Sequence, residues 1–150
     1  MKNCPAECFG FYAILTEPRV GYRKCAEAAV KCGVRYLQLR MKDSPVQEVK
    51  KTDQLIRQIT RNTATRFIVN DFLDVAIDTG ADGVHLGQDD VDITVARRKW
   101  KAKGKMYGLS THNERQAGAA EEISPDYIGV GPIFSTPTKA VPDPVVGLER

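Results

Sequence analysis

The stretch YRKCAEAAVKCGVRYLQLRMK, Tyr22 to Lys42, changes its periodicity partway along, and that change decides the fold class. Tyr22, Cys25, Ala26, Ala29 and Val30 recur at three- and four-residue spacing, one face of an amphipathic helix, and Gly33 supplies its stop. From Val34 to Arg40 the pattern alternates instead, as in a strand, with Leu37 and Leu39 on one side and Gln38, Arg40 and then Lys42 on the other. The same transition recurs along the chain, with strands predicted at Phe9–Leu15, Val34–Arg40, Arg66–Val69, Gly83–Leu86, Met106–Ser110 and Tyr127–Val130. Each gap holds a strand, a crossover helix and two tight turns, so the chain reads as six βα units around a parallel sheet.

Local signals support this division. Val49, Ile56 and Ile59 form a second helical stripe, preceded by Ser44 as N-cap, Pro45 at the first helical position and Gln47 as its capping-box partner. Asn113 and Gln116 repeat the box before a helix carrying Ala117 and Ala120, and Gly80 and Gly104 stand where helices should stop. Composition bounds the rest. With 150 residues, 42% hydrophobic and 27% charged, one folded domain with one core is expected. A net charge of +3, spread along the chain, is too small for a nucleic-acid footprint. The apolar run Phe9–Leu15 is far short of a membrane helix, and Glu7 interrupts any signal-peptide lead-in, so a soluble, cytoplasmic protein is expected. Cys25 and Cys32, on one helix, read as small buried groups. Cys4 and Cys8 lack a third ligand nearby and are not read as a metal site.

Polar and ionisable residues cluster after the strands: Gln38, Arg40 and Lys42; Asn70 and Asp71; Gln88, Asp89 and Asp90; Ser110 and His112; Thr136, Thr138 and Lys139. In a (β/α) barrel the loops after the strands open on one face, so these clusters would share one mouth. Gln38 beside Arg40 and Lys42 suits a planar polar ligand joined to a phosphate or diphosphate. Asp71 and Asp90, with Asn70 and Gln88 beside them, offer only oxygen ligands, which favour magnesium over zinc. His85, between glycines at a strand end, reads as a hydrogen-bonded packing residue. Gly129-Val130-Gly131-Pro132, followed by Ser135, Thr136, Thr138 and Lys139, reads as a ligand loop, and Pro137, Pro142 and Pro144 keep it irregular in the manner of a lid.

These residues, taken together and in order, resemble the thiamine phosphate synthase family. The likeness runs from FYAILTEP at Phe11 through VRYLQLRMK, FIVND, GADGVHLGQDD, GLSTH and DYIGVGPIFSTPTK to GLER ending at Arg150. The resemblance implies an α/β (β/α)8 TIM barrel. It implies that Gln38, Leu39, Arg40, Met41 and Lys42 bind a pyrimidine diphosphate, assisted by Asn70, Ser110 and Lys139. Asp71 and Asp90 would bind Mg2+, and Thr136, Pro137 and Thr138 a thiazole phosphate. The implied reaction joins the two halves of thiamine with release of pyrophosphate through a loose, carbocation-like transition state. Arg40, Lys42 and Lys139 would stabilise the departing charge. No Ser–His or Cys–His nucleophile is expected, and none is needed. Phe72 departs from the pattern, since relatives often carry a polar or basic residue there. Two other readings are a thiazole tautomerase, which resembles the synthase but lacks the aspartate pair, and a noncatalytic phosphate-ligand module, which would need no metal.

At this spacing eight βα units need roughly 190 residues, and full barrels commonly run to 200 or more. The sequence is therefore expected to cover about the first six units, with a sixth helix starting near Gly147–Arg150. Its outer strands would be open edges. The chain would then derive from a longer parent or close its sheet against a partner, as in a homo-oligomer, and be weakly active alone.

Overall fold

In the computed structural model, which describes residues 9–135 and 144–147, strands and helices alternate throughout the described residues. The order is β1 (Tyr12–Leu15), α1 (Tyr22–Lys31), β2 (Tyr36–Leu39), α2 (Val46–Thr60), β3 (Arg66–Asn70) and α3 (Leu73–Thr79), then β4 (Gly83–Leu86), α4 (Ile93–Lys99), β5 (Met106–Thr111), α5 (Glu114–Ile123) and β6 (Tyr127–Val130). The six strands form one sheet in chain order, every neighbouring pair parallel. All six predicted strands are present. The first two are shorter than predicted, because pairing begins only at Tyr12 opposite Tyr36.

One face of the sheet packs on the helices. Leu37, Leu39, Phe67, Val69, Val84 and Leu86 point to that face and meet Ala26, Ile56, Ala76, Ile93 and Ala96 from α1 to α4. Burying each large side chain contributes about 1.5–3 kcal/mol. Ion pairs tie neighbouring helices outside this layer, Lys50 to Asp78 at 2.7 Å and Lys99 to Asp74 at 2.5 Å. Arg97 of α4 donates to the carbonyls of Ile123 and Ser124, which caps the C-terminal end of α5. Among the described residues, no helix is long and apolar enough to cross a membrane.

Several local expectations are corrected. Pro45, not Ser44, stands at the N-cap of α2; its ψ of 140° is extended, and no side chain caps that helix. Asn113 caps α5 as expected, accepting from the Gln116 N–H at 2.9 Å, but Gln116 reaches back to the His112 N–H rather than to Asn113. Cys32 is exposed, because α1 ends at Lys31 and Cys32 falls on the turn; Cys25 is half-buried against the core. Helix α4 ends at Lys99, so Gly104 lies in the loop before β5 instead of closing the helix. Cys4, Cys8 and Leu148–Arg150 lie outside the described residues.

The other face of the sheet is concave, and the polar groups on it show why. Tyr12 on β1 and Tyr127 on β6 share a hydrogen bond of 2.7 Å between their hydroxyls. Five strand spacings of a flat sheet would put β1 and β6 about 24 Å apart, so the sheet must curl to bring the phenols together. The observed architecture is thus a curled half-barrel of six parallel strands. From Tyr12 the bonding runs to Gln38 Oε1 at 2.7 Å and from Gln38 Nε2 to Asn70 Oδ1 at 2.8 Å. From Tyr127 it runs to His85 Nδ1 at 3.2 Å, and His85 Nε2 meets Ser110 Oγ at 2.9 Å. Six residues, one from each strand, make one continuous chain.

Gly108 of β5 lies beneath this chain. A Cβ there would overlap the Tyr127 ring and come within 2.5 Å of His85 Nδ1. Gly108→Ala should therefore lower stability by about 1–3 kcal/mol through overpacking. That exceeds the 0.4–1 kcal/mol that the change would add by stiffening the unfolded chain. The midpoint of denaturant unfolding reads the difference, and an unchanged or raised midpoint would show that Tyr127 and His85 need not meet across this glycine.

Sequence periodicity missed Asp53. It lies on the buried stripe of α2 with Val49, Ile56 and Thr60, its side chain fully enclosed and neither carboxylate oxygen hydrogen-bonded. Burial pushes its pKa up to about 7, and the nearby Thr79 hydroxyl and Arg57 charge only partly offset this. The folded protein thus holds a proton that the unfolded chain has lost above about pH 4. Stability should fall as pH rises from about 4 to about 7, then level off. Asp53→Asn should remove that slope, gaining a few kcal/mol over the parent at pH 8 and little at pH 4. Urea melts at the two pH values check this; parallel pH profiles for the two proteins would contradict it.

Candidate active site

The concave face opens at the C-terminal ends of the strands into a cavity of about 930 Å³. Four of the five predicted polar clusters line it. Gln38, Arg40 and Lys42 point inward together because they alternate with Leu37, Leu39 and Met41, which pack against the core. The side chains of Leu39 and Met41 therefore do not face the cavity, although both belong to the expected substrate-binding run. Asn70, Asp71, Asp90 and Ser110 line the cavity as predicted, with Gln88, Asp89 and His112 at the same mouth. The fifth cluster, Thr136, Pro137, Thr138 and Lys139, lies outside the described residues.

Asp71 is the turning point after β3. Its N–H still bonds the His85 carbonyl at 2.9 Å, extending the ladder, but its φ of 64° is left-handed. Aspartate tolerates that region better than most residues, and the turn points its carboxylate at Lys42, 3.4 Å away. Asp90 is held by the turn after β4, where its Oδ2 accepts from the Gly87 N–H at 2.6 Å. The two carboxylates are near neighbours. Burial, followed by a hydrogen bond with Asp90 and then the Asp90 charge, pushes the Asp71 pKa up to about 6 against the pull of Lys42. Two crowded carboxylates gain from a shared divalent cation, and magnesium typically takes one or two carboxylates, with water and phosphate completing its shell. Among the described residues no group of three or more His, Cys, Asp or Glu side chains is placed to hold a metal ion. Gln88 donates to the Ser110 carbonyl, so its amide oxygen stays available. Asn70 Oδ1 accepts from Gln38, and its buried Nδ2 is a donor without a partner.

Beneath the rim, the bonding directions follow from one hydrogen. Tyr12 donates its proton to Gln38, so Tyr127 must donate to Tyr12. His85 must then carry its proton on Nδ1 to donate to Tyr127, which leaves Nε2 to accept from the Ser110 hydroxyl. Burial holds the His85 pKa near 4, so the ring is neutral at pH 7. Burial likewise pushes Tyr127 up to about 12 and Tyr12 further still, and both stay phenols. His85 is thus the hydrogen-bonded residue expected, but a Ser–His contact that the sequence did not reveal exists. A histidine this hard to protonate is a poor general base; its contact orients the Ser110 hydroxyl. His112 donates from Nδ1 to the Gly131 carbonyl at 2.7 Å, which ties the exit of β5 to that of β6. Phe72, the departure from the family pattern, turns half-buried into the core instead of toward the mouth. Tyr12 and Tyr127 were missed as site residues. A parity count from Gln38 across the sheet would have placed both tyrosines inside, had the strand register been known.

Comparison with known proteins identifies relatives of the chain. A family model described as thiamine monophosphate synthase matches residues 11–150. The thiamine-phosphate synthase of Pelotomaculum thermopropionicum is 47% identical over 121 residues, covering 80% of this chain and 55% of that protein. That of Halalkalibacterium halodurans is 41% identical over 141 residues, covering 91% and 66%. Among solved structures, a thiamine phosphate pyrophosphorylase from Pyrococcus furiosus is 30% identical with a TM-score of 0.73, covering 92% of this chain and 74% of that one. The chain thus spans between about half and two-thirds of the length of these sequence relatives. It belongs to the thiamine monophosphate synthase family.

Proposed function

We propose that this chain carries the coupling site of a cytoplasmic thiamine phosphate synthase, a transferase that joins a hydroxymethylpyrimidine diphosphate to a thiazole phosphate. The observation that carries this reading is the placement of Asp71, Asp90, Arg40 and Lys42 around one mouth, above a neutral polar floor with an unpartnered Asn70 amide donor. In the coupling, the thiazole nitrogen lone pair forms a bond to the pyrimidine methylene carbon. The carbon–oxygen bond to the diphosphate breaks, and its electron pair leaves with the diphosphate. Asp71 and Asp90 would hold Mg2+, which would supply positive charge to the leaving oxygens. Arg40 offers a fork of donors and Lys42 a point charge to the same anion, so negative charge accumulates where cations already stand. Gln38, Asn70 and Ser110 bind and orient the pyrimidine. No side chain supplies a nucleophile. Thr136, Pro137, Thr138 and Lys139 complete the proposal on the side of the thiazole phosphate, with Lys139 a further cation for the diphosphate.

The aspartate pair is what favours coupling over tautomerisation or simple phosphate binding, since neither of those needs a metal at this mouth. The proposal also holds that six strands are part of a (β/α)8 barrel. The edges of β1 and β6 pair with no strand among the described residues, and Ile14, Ile128 and Val130 are exposed beside them. Two more βα units of a longer parent, or a second copy in a homo-oligomer, would cover those edges.

Product formation from both substrates should require magnesium, weakly for the 150-residue chain alone. Asp71→Asn and Asp90→Asn should each largely abolish it while the protein stays folded, as thermal unfolding reads. An Asp90→Asn protein with unchanged magnesium dependence would overturn the metal assignment. Arg40→Ala should cost on the order of ten- to a hundredfold in rate, as expected for one charge-assisted hydrogen bond. Unaltered kinetics would make Arg40 a solvated bystander. In size-exclusion chromatography the chain should elute as an oligomer, and a monodisperse monomer with ordinary turnover would overturn the need for barrel closure.

A further inference from the structure

At the end of the sheet opposite the carboxylates, a second cavity of about 490 Å³ opens among the segments that lead into β3, β4 and β5. Four cations line it, Arg57 near the end of α2, Arg66 at the start of β3, and Lys103 and Lys105 before β5, against the single carboxylate of Asp82. That excess of three equals the formal net charge of the whole chain, +3, so the remainder of the sequence is balanced and this cavity holds the imbalance.

Asp82 is already committed elsewhere. Its Oδ2 accepts from Arg57 Nη1 at 3.2 Å and from the Phe67 N–H at 2.9 Å. Among the described residues, Arg66, Lys103 and Lys105 form no ion pair. Arg66 reaches the Gly104 carbonyl at 3.4 Å and Lys105 the Ala81 carbonyl at 2.5 Å, contacts that hold the cations without neutralising them. Arg57 Nε is buried and donates to nothing, and a buried donor left unpaired is costly. Burial pushes the Lys105 ammonium below its ordinary pKa; Asp82 pulls it back, and the charge of Arg57 adds to the fall. Cations crowded in this way do not stabilise the fold by themselves, so the usual reading of this end of a barrel as purely structural does not account for them.

The walls also limit the ligand. Ala64 is the one apolar side chain among the lining residues and no aromatic ring faces the cavity, so a nucleobase or an apolar tail has nothing to pack on. Multivalent oxygens that accept from a guanidinium fork and from ammonium groups are what the donors match.

We propose that this cavity binds a phosphate-type oxyanion, as the free anion or as the phosphoryl end of a small ester, at a site separate from the carboxylate-bearing mouth. The site uses none of the residues on which the coupling reading rests, and it stands or falls independently of that reading. The test is titration of the 15N-labelled 150-residue chain with inorganic phosphate, diphosphate and phenyl phosphate in magnesium-free buffer. The amides of Thr63, Lys103 and Gly104 report this cavity. Saturable shifts are expected at those amides, retained in Arg40→Gln and weakened about tenfold in Arg66→Gln/Lys103→Gln. Arg66 and Lys103 are exposed, so their loss spares the core, and Lys103→Gln alone should give a smaller weakening in the same direction. Inorganic phosphate or diphosphate binding more tightly than phenyl phosphate identifies the free anion, and phenyl phosphate binding as tightly as inorganic phosphate identifies the phosphoryl end of an ester. Either supports the site, whereas phenyl phosphate binding more tightly than both anions would contradict the polar walls. Absence of shifts at these amides, shifts equalled by sodium chloride at matched ionic strength, or shifts caused by a short oligonucleotide but not by phosphate would overturn it.

Discussion

The hydrogen bond between the hydroxyls of Tyr12 and Tyr127 joins the first strand to the last and fixes how far the sheet curls. The backbone ladder alone leaves β1 and β6 without each other, because it pairs only neighbours in chain order. Once the phenols meet, the side chains that alternate away from the helical core converge, and Gln38, Asn70, His85 and Ser110 fall within one bonded chain. Each bond contributes only about 1 kcal/mol net, yet breaking one strands a buried partner at about 1–3 kcal/mol. The chain therefore behaves as a unit. Gly108 is its steric condition, since only a residue without a Cβ lets Tyr127 and His85 close over β5.

Charge is sorted along the strands as clearly as polarity is sorted across them. Asp71 and Asp90 stand at the C-terminal ends with Arg40 and Lys42, so that mouth holds both signs in proximity and suits a metal with an anion. At the other end Arg57, Arg66, Lys103 and Lys105 outnumber Asp82, and that cavity suits an anion without a metal. On the β1 and β2 side of the carboxylate-bearing cavity the wall is aromatic, where Phe9 stacks on Tyr36 at 4.5 Å and Tyr12 lies 5.8 Å from Tyr36.

Much of this was legible in the sequence because it is local. Strand and helix periods, the Asn113 cap and the inward parity of Gln38, Arg40 and Lys42 all follow from spacing within one element. Strand-exit chemistry was legible too, since βα topology sends every exit to the same end whatever the details of packing. What escaped depends on contacts between distant residues. Tyr12 and Tyr127 are 115 residues apart, and nothing in either strand alone marks its tyrosine as a closure point. Asp53 breaks the expectation that charged residues leave the core; its burial is imposed by Val49, Ile56 and Thr60 on the same stripe of α2. Ser44 looked like a cap because its neighbours fit the motif, but the extended ψ at Pro45 delays the helix by one residue.

The state of the protons in the bonded chain links the fold to the proposed chemistry. Tyr12 and Tyr127 are held as phenols and His85 as the neutral Nδ1–H ring, so every member of the floor is uncharged at neutral pH. Formal charge begins only at the rim, with Arg40, Lys42, Asp71 and Asp90. A ligand that matches this gradient has a flat, neutral, hydrogen-bonding head and an anionic tail. Seated head down, it would present its tail to the cations and the aspartate pair. A charged floor would pull such a ligand the other way round or cost desolvation without compensation. Neutrality of His85 is therefore a requirement of the arrangement, and the burial that enforces it comes from the curl that Tyr12 and Tyr127 set.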